Sequence, residues 1–199
     1  MRPFLCLTAL LCAALPVWAA TVQVQVQDST GKPLAGAVVY LESKDAAAAA
    51  KPLQGAEISQ INRQFDPEVR VVTLGTSVQF PNRDTVRHHV YSFSEAKRFE
   101  RKLYIGTAAA PEVFDKPGIA VLGCNIHDNM VAWVVVVQTP YFGRSGADGK
   151  LSLDNLPAGN YRLRTWHKRL AVGAAPLDQA LALPATGANA TVRMDGLTP

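Results

Sequence analysis

Thiols are scarce in this sequence: three cysteines in 199 residues, alongside three methionines and four histidines. So few cysteines cannot build the dense cross-linked framework of a small disulfide scaffold. Glycine and proline, at 14 and 13 residues, are far below what a collagenous or low-complexity chain needs. Charge of one sign is also short. The 20 Lys and Arg against 16 Asp and Glu leave a small basic surplus, which biases encounters towards acidic partners but is too weak to argue for nucleic-acid binding. The densest basic cluster, Arg162, Arg164, Lys168 and Arg169, reads as a solvated face. A Cys-x-x-Cys-His motif is missing, which excludes a c-type haem. Beyond the first 20 residues no apolar run is long enough to cross a bilayer. With 48% hydrophobic and 18% charged residues, what remains is a globular composition, sufficient for one large domain or two small ones.

Residues 1–19 have the layout of a secretory signal peptide. Arg2 supplies the charge, residues 4–15 the apolar stretch, and Pro16-Val17-Trp18-Ala19-Ala20 the small-residue end, with cleavage expected after Ala19 or Ala20. A run of about a dozen apolar residues is short for a membrane anchor. Leu5 and Leu11, preceding Cys6 and Cys12, do not suit a lipoprotein site. Export to the periplasm is therefore expected. Cleavage would remove Cys6 and Cys12 and leave Cys124 as the single thiol, with no intrachain disulfide available. Such a thiol pairs with another chain, serves as a ligand or nucleophile, or lies buried and inert.

Short β-prone runs separated by turns dominate from residue 21 onward. Val22-Gln23-Val24-Gln25-Val26-Gln27 alternates strictly and places three valines on one face of a sheet, and residues 37–41 read as the returning strand. Residues 45–52 form a short helical turn or a loose connection ended by Pro52. Further strands are expected near Glu57 and at 69–73, 77–80, 90–93, 118–124 and 131–138. The last of these is continuously apolar and belongs in the middle of a sheet with both faces covered. Residues 150–153 and 161–166 flank Pro157-Ala158-Gly159-Asn160 and read as a hairpin, and a final strand is expected at 190–194. The best candidate for a helix of any length is residues 94–101. The class is all-β, with the strand spacing of a sandwich.

Three of the four histidines fall in two tight contexts. One is Phe80-Pro81-Asn82-Arg83-Asp84-Thr85-Val86-Arg87-His88-His89-Val90. The other is Cys124-Asn125-Ile126-His127-Asp128-Asn129-Met130, a loop between two strong strands. Thiolate, imidazole and thioether within seven residues are donors that copper prefers, and a Cys with two His plus a weak axial Met describes an electron-transfer copper site. The remaining ligand must come from another strand, where His88 is well placed. Zinc takes Cys and His but not a thioether. No base or oxyanion site is visible around Cys124 for nucleophilic catalysis, so the chain is expected not to be an enzyme. Asp128 reads as a solvated loop residue and His167 as structural or surface, a second metal contact being the alternative.

From about residue 65 to 138 the chain resembles the cupredoxins, the blue-copper Greek-key β-sandwich family. Phe65-Asp66-Pro67, Gly75-Thr76-Ser77-Val78-Gln79-Phe80-Pro81-Asn82 and His88-His89-Val90 look like the strands leading to the family's first ligand. Lys116-Pro117-Gly118 and Cys124-x-x-His127-x-x-Met130 look like its ligand loop, in the short form found in amicyanin, a cupredoxin of methylamine oxidation. The resemblance implies one type 1 copper ion with His88, Cys124 and His127 as strong ligands and Met130 as the axial one. It implies a one-electron carrier whose partners are a dehydrogenase, as in methylamine utilization, or a c-type cytochrome. Cupredoxins usually carry Asn directly after the first His ligand, tying the two ligand segments together. Here His89 stands in that place, and with Asn125 it is the candidate for the tether, His89 as a ligand being the alternative. Asn82, in the run leading to His88, is a further candidate for orienting the site. Ile126, Met130 and residues 140–142 are expected to form an apolar docking patch.

The flanks resemble a different family. Gly31-Lys32-Pro33-Leu34-Ala35-Gly36-Ala37-Val38-Val39-Tyr40-Leu41 is similar to the opening of the carboxypeptidase-regulatory-like domain, a transthyretin-like β-sandwich. Asp148-Gly149-Lys150-Leu151-Ser152-Leu153 and the segment 155–163 are similar to its later strands. The expected organisation is residues 20–45 plus 141–199 as that sandwich, with the cupredoxin unit, residues 52–140, inserted in or adjoining it. Copper delivery without redox turnover, or a carbohydrate- or protein-binding β-module, are the competing functions.

Overall fold

The computed structural model of the protein describes residues 19–107 and 110–198. The expected leader, Ala19 apart, lies outside them. Among the described residues there are seventeen strands and one helix of six residues. The chain opens with β1 (Ala20–Asp28) and β2 (Val38–Glu42), followed by α1 (Lys44–Ala49). Then come β3 (Ala56–Glu57), β4 (Ser59–Ile61), β5 (Gln64–Asp66), β6 (Val69–Thr73), β7 (Thr76–Gln79), β8 (His88–Ser94), β9 (Lys97–Tyr104), β10 (Glu112–Phe114), β11 (Gly118–Gly123) and β12 (Val131–Val137). The last group is β13 (Phe142–Arg144), β14 (Lys150–Leu156), β15 (Gly159–Trp166), β16 (Leu177–Leu183) and β17 (Ala188–Met194).

The two ends of the chain share one core. Strand β1 lies between β14, antiparallel to it, and β17, parallel to it. A second sheet, ordered β13-β2-β15-β16, supplies the facing layer. Because side chains alternate along a strand, Val22, Val24 and Val26 all point into this core, where they meet Leu41, Leu163 and Val192. Each fully buried side chain of this kind contributes about 1.5–3 kcal/mol.

Residues 56–137 build the second core. A five-stranded sheet, ordered β6-β12-β11-β8-β9, packs over the three-stranded sheet β10-β7-β3, with the β4–β5 hairpin beside them. Ile58, Phe80, Phe114, Leu122 and Val134 fill the space between. The continuous apolar run of β12 follows from its two environments. Ala132, Val134 and Val136 face this core, while Val135 and Val137 face a third cluster formed with Val38, Tyr40 and Trp166 of the other sheets. The outer face of the five-stranded sheet is thus partly covered by β2 and β15, and where they cover β12 at Val135 and Val137 no solvated position is left for polar residues.

Two expectations are corrected. Residues 94–101 are not helical: β8 ends at Ser94, Glu95 and Ala96 turn, and β9 returns antiparallel, with Ser94 opposite Lys97. Tertiary pairing with β8 decides this, over the weak helical preference of Glu95, Ala96 and Lys97. Strands β14 and β15 do not form a hairpin with each other. β14 pairs with β1 and β15 with β2 and β16, so the turn at Pro157 and Ala158 carries the chain from one layer to the other. Leu153 and Leu156 before the turn and Tyr161 and Leu163 after it bury into the same core from opposite sides. Around residue 45 the helical alternative holds: the Ser43 hydroxyl accepts the Ala46 N–H at 3.0 Å as N-cap of α1.

Candidate metal centre

His88 opens β8 with its ring wholly buried, and Cys124 follows the end of β11 at 4% exposure. Only one pair joins β11 to β8, Gly123 opposite Tyr91, which brings Cys124 beside the strand that starts at His88. His127 lies in the loop between β11 and β12, half-buried, beside Ile126 at 48% exposure. The loop is closed by the Met130 N–H donating to the His127 carbonyl at 3.0 Å.

Donor atoms of His88, Cys124 and His127 all lie within 4.8 Å of one another. Cys124 Sγ is 3.9 Å from His127 Nδ1, and the two imidazole rings meet edge to face at a centroid distance of 4.9 Å. Metal bonds of about 2.0–2.3 Å in a trigonal plane space their donors by roughly 3.5–4 Å. His88 Nδ1 is buried with no hydrogen-bond partner, while Nε2 lies 2.7 Å from Asp84 Oδ2. A buried nitrogen left unpaired beside a thiol and a second imidazole is what a bound cation would satisfy. This donor set is compatible with copper. Met130, 1% exposed, belongs to the same core cluster as Cys124.

Asn82 sits 3% exposed at the head of the segment leading to His88. Its side-chain amide donates to the Val86 carbonyl at 2.9 Å and the Tyr104 carbonyl at 2.7 Å, and its Oδ1 accepts the Asp84 N–H at 3.0 Å. Asn82 therefore holds both ends of residues 83–87 and ties them to β9. The pairing of β8 with β9 shifts register between His88 and Val90, a bulge directly beside the first donor; such irregularities commonly re-aim a side chain next to a site.

His89 departs from the expected tether. Its Nε2 pairs with Glu100 Oε1 of β9 at 2.9 Å and its ring packs on Tyr91, outside the donor cluster. Successive strand residues point to opposite faces, so the neighbour of His88 is turned away from what His88 faces. Asn125 is exposed and its side chain makes no hydrogen bond among the described residues. Of the expected docking patch, Ile126 and Pro140 are exposed, whereas Met130 is interior, Tyr141 packs into the core formed by the chain ends, and Phe142 packs against the cluster of Val38, Val135 and Trp166. His167 is buried, its Nε2 3.2 Å from the Ala35 carbonyl, and belongs to no donor cluster among the described residues.

Asp84 is the site residue that spacing does not reveal. A carboxylate four positions before a histidine is common, and its reach depends on the β4–β5 turn, where the Asn62 and Arg63 N–H groups bind it at 2.6 and 2.9 Å. Burial raises its pKa, but those two N–H groups and the His88 ring outweigh that and hold the carboxyl below the usual range.

No protein-family model matches the chain, and no curated protein matches it. Among solved structures it is similar to a purple cupredoxin from Nitrosopumilus maritimus, at 22% identity over 41% of this chain and 99% of that one, TM-score 0.37. It is similar to a variant of amicyanin in its reduced Cu(I) form, at 19% identity over 50% and 98%, TM-score 0.39. It is also similar to the copper-containing nitrite reductase of Thermus scotoductus, at 21% identity over 56% of this chain but only 28% of the reductase, TM-score 0.39.

Proposed function

We propose that the protein is a periplasmic carrier of single electrons, exported by residues 1–19, that holds one copper ion on His88, Cys124 and His127 with Met130 as weak axial donor. The observation that carries this is the convergence of a buried thiol, a buried imidazole and a half-buried one, with His88 Nδ1 left unpartnered. Bound copper would supply one-electron exchange between Cu(I) and Cu(II). The chain's own residues bury the thiol and set two imidazoles beside it, and three strong donors with a weak fourth favour a carrier over an enzyme. His127 is the one donor of the three that is not fully buried, so a partner's surface would meet the site there, against exposed Ile126. A periplasmic dehydrogenase, as in methylamine utilization, or a c-type cytochrome fits that role. In the same reading residues 52–140 are the copper unit, and residues 20–45 plus 141–199 are a carboxypeptidase-regulatory-like sandwich around it.

Addition of Cu(II) to the purified apoprotein tests the reading. An intense thiolate charge-transfer band, narrow copper hyperfine splitting and a reversible one-electron wave are expected, with the band lost in Cys124→Ser. Absence of the band in the wild type removes the proposal, and a band without a reversible wave favours delivery over electron transfer.

A further inference from the structure

Asp84 reaches the donor cluster from outside it, held from three directions. Its side chain is 13% exposed, and its Oδ1 and Oδ2 accept the Asn62 and Arg63 N–H groups. Those two residues have φ of 54° and 58°, so two successive N–H groups of a left-handed turn converge on one carboxylate. The Asp84 N–H is anchored in turn on Asn82 Oδ1. An ionised carboxylate only accepts hydrogen bonds, so at 2.7 Å from His88 Nε2 it requires the proton to sit on that nitrogen. The buried, unpartnered Nδ1 then carries the free lone pair, on a ring that brings a donor atom within 4.8 Å of those of Cys124 and His127.

We propose that Asp84 is a positioning residue: it locks His88 as the Nε2–H tautomer, which aims Nδ1 at the metal, and its negative charge biases the copper couple towards Cu(II). Carboxylate partners of ligating imidazoles fix the ring and raise its basicity, and the more highly charged ion gains more from a basic ligand. The first half concerns the apoprotein alone; the second rests on the copper reading above. The alternative source of ring orientation, the His88–His127 contact at 4.9 Å, selects no tautomer.

Long-range proton–nitrogen correlation spectra of the wild-type apoprotein, with labelled imidazoles and at about pH 8, above the usual imidazole range, report the His88 tautomer without any variant. A single Nε2–H form is expected; an Nδ1–H form or an even mixture overturns the proposal whether or not copper binds. In Asp84→Asn, whose amide can donate as well as accept, the expected result is a mixed tautomer in the apoprotein. In the copper-loaded variant a roughly tenfold shift of the Cu(II)/Cu(I) ratio towards Cu(I) is expected at fixed solution potential, about 59 mV for one electron. Asp84→Glu should restore most of it. An unchanged potential in Asp84→Asn with an intact thiolate band refutes the second half. A wild type that gives no band refutes the copper reading instead, and with it the bias on the couple, while the tautomer result stands.

Discussion

Gly123 is the last residue of β11, directly before Cys124, and the place a side chain would take is occupied by a neighbour. A Cβ built there would lie 2.7 Å from Tyr91 Cζ and 2.8 Å from its hydroxyl. Carbon atoms in contact sit about 3.5–4.0 Å apart, so Gly123→Ala forces the ring outward by roughly 1 Å. Tyr91 is flanked along its strand by His89 at 5.4 Å and Phe93 at 5.2 Å, which leaves the solvent side as the direction of escape. Overpacking of this size costs about 1–3 kcal/mol, and the lower backbone entropy of Ala returns about 0.5–1 kcal/mol. The expected net loss is up to about 2.5 kcal/mol. Urea unfolding of the apoprotein by circular dichroism measures it. In a Tyr91→Ala background the obstacle is gone, so Gly123→Ala should there be neutral or stabilising by up to about 1 kcal/mol. If the two substitutions instead add within about 0.3–0.5 kcal/mol, the steric reasoning is refuted.

Three other outcomes are expected. Met130→Leu nearly conserves volume in a fully buried place, so stability should fall by less than about 1.5 kcal/mol while the electron paramagnetic resonance spectrum of the copper form changes; an unaltered spectrum takes Met130 out of the donor set. Asn82→Ala deletes three hydrogen bonds in a buried setting and should cost about 2–3 kcal/mol and speed amide exchange at Asp84, whose N–H bonds to Asn82, whereas a loss under about 0.5 kcal/mol would mean water replaces them. His167 accepts the Arg169 N–H on Nδ1 and meets the Ala35 carbonyl through Nε2, an arrangement for the neutral ring. Burial first, then the Arg169, Lys168 and Arg144 charges, push its pKa below the usual value of 6.5, against the bond to Ala35. The unfolded chain therefore takes up the proton first, so the stability tied to neutral His167 is complete above about pH 6.5 and declines as the pH falls from there towards the folded value. The urea midpoint should drop between about pH 7 and pH 5 by less in His167→Gln than in the wild type; equal drops would exclude the residue as the cause.

The β class, the places of β1, β6, β11 and β12, and the burial of Val22, Val24 and Val26 were all legible along the chain, because a strand records its environment in a period of two. So was the nearness of Cys124, His127 and Met130, since a seven-residue loop cannot spread its donors far. The β4–β5 hairpin was not, because Asn62 and Arg63 are unremarkable until they are seen in left-handed conformation. Nor were β9 and β16, whose alternation of charged and apolar residues is that of partly exposed strands, visible mainly through their pairing with β8 and β15.

The scarcity of thiols, the export signal expected in residues 1–19 and the donor types at 88, 124, 127 and 130 are properties of the sequence by itself. Only the tertiary structure decided that β14 and β15 belong to different layers, that His89 faces Glu100 away from the cluster, and that Asp84 stands behind His88. The physical reason is common to all three. Local order follows from side-chain period and turn chemistry within a few residues, whereas which face, which sheet and which distant backbone a group meets depends on pairings that close over most of the chain.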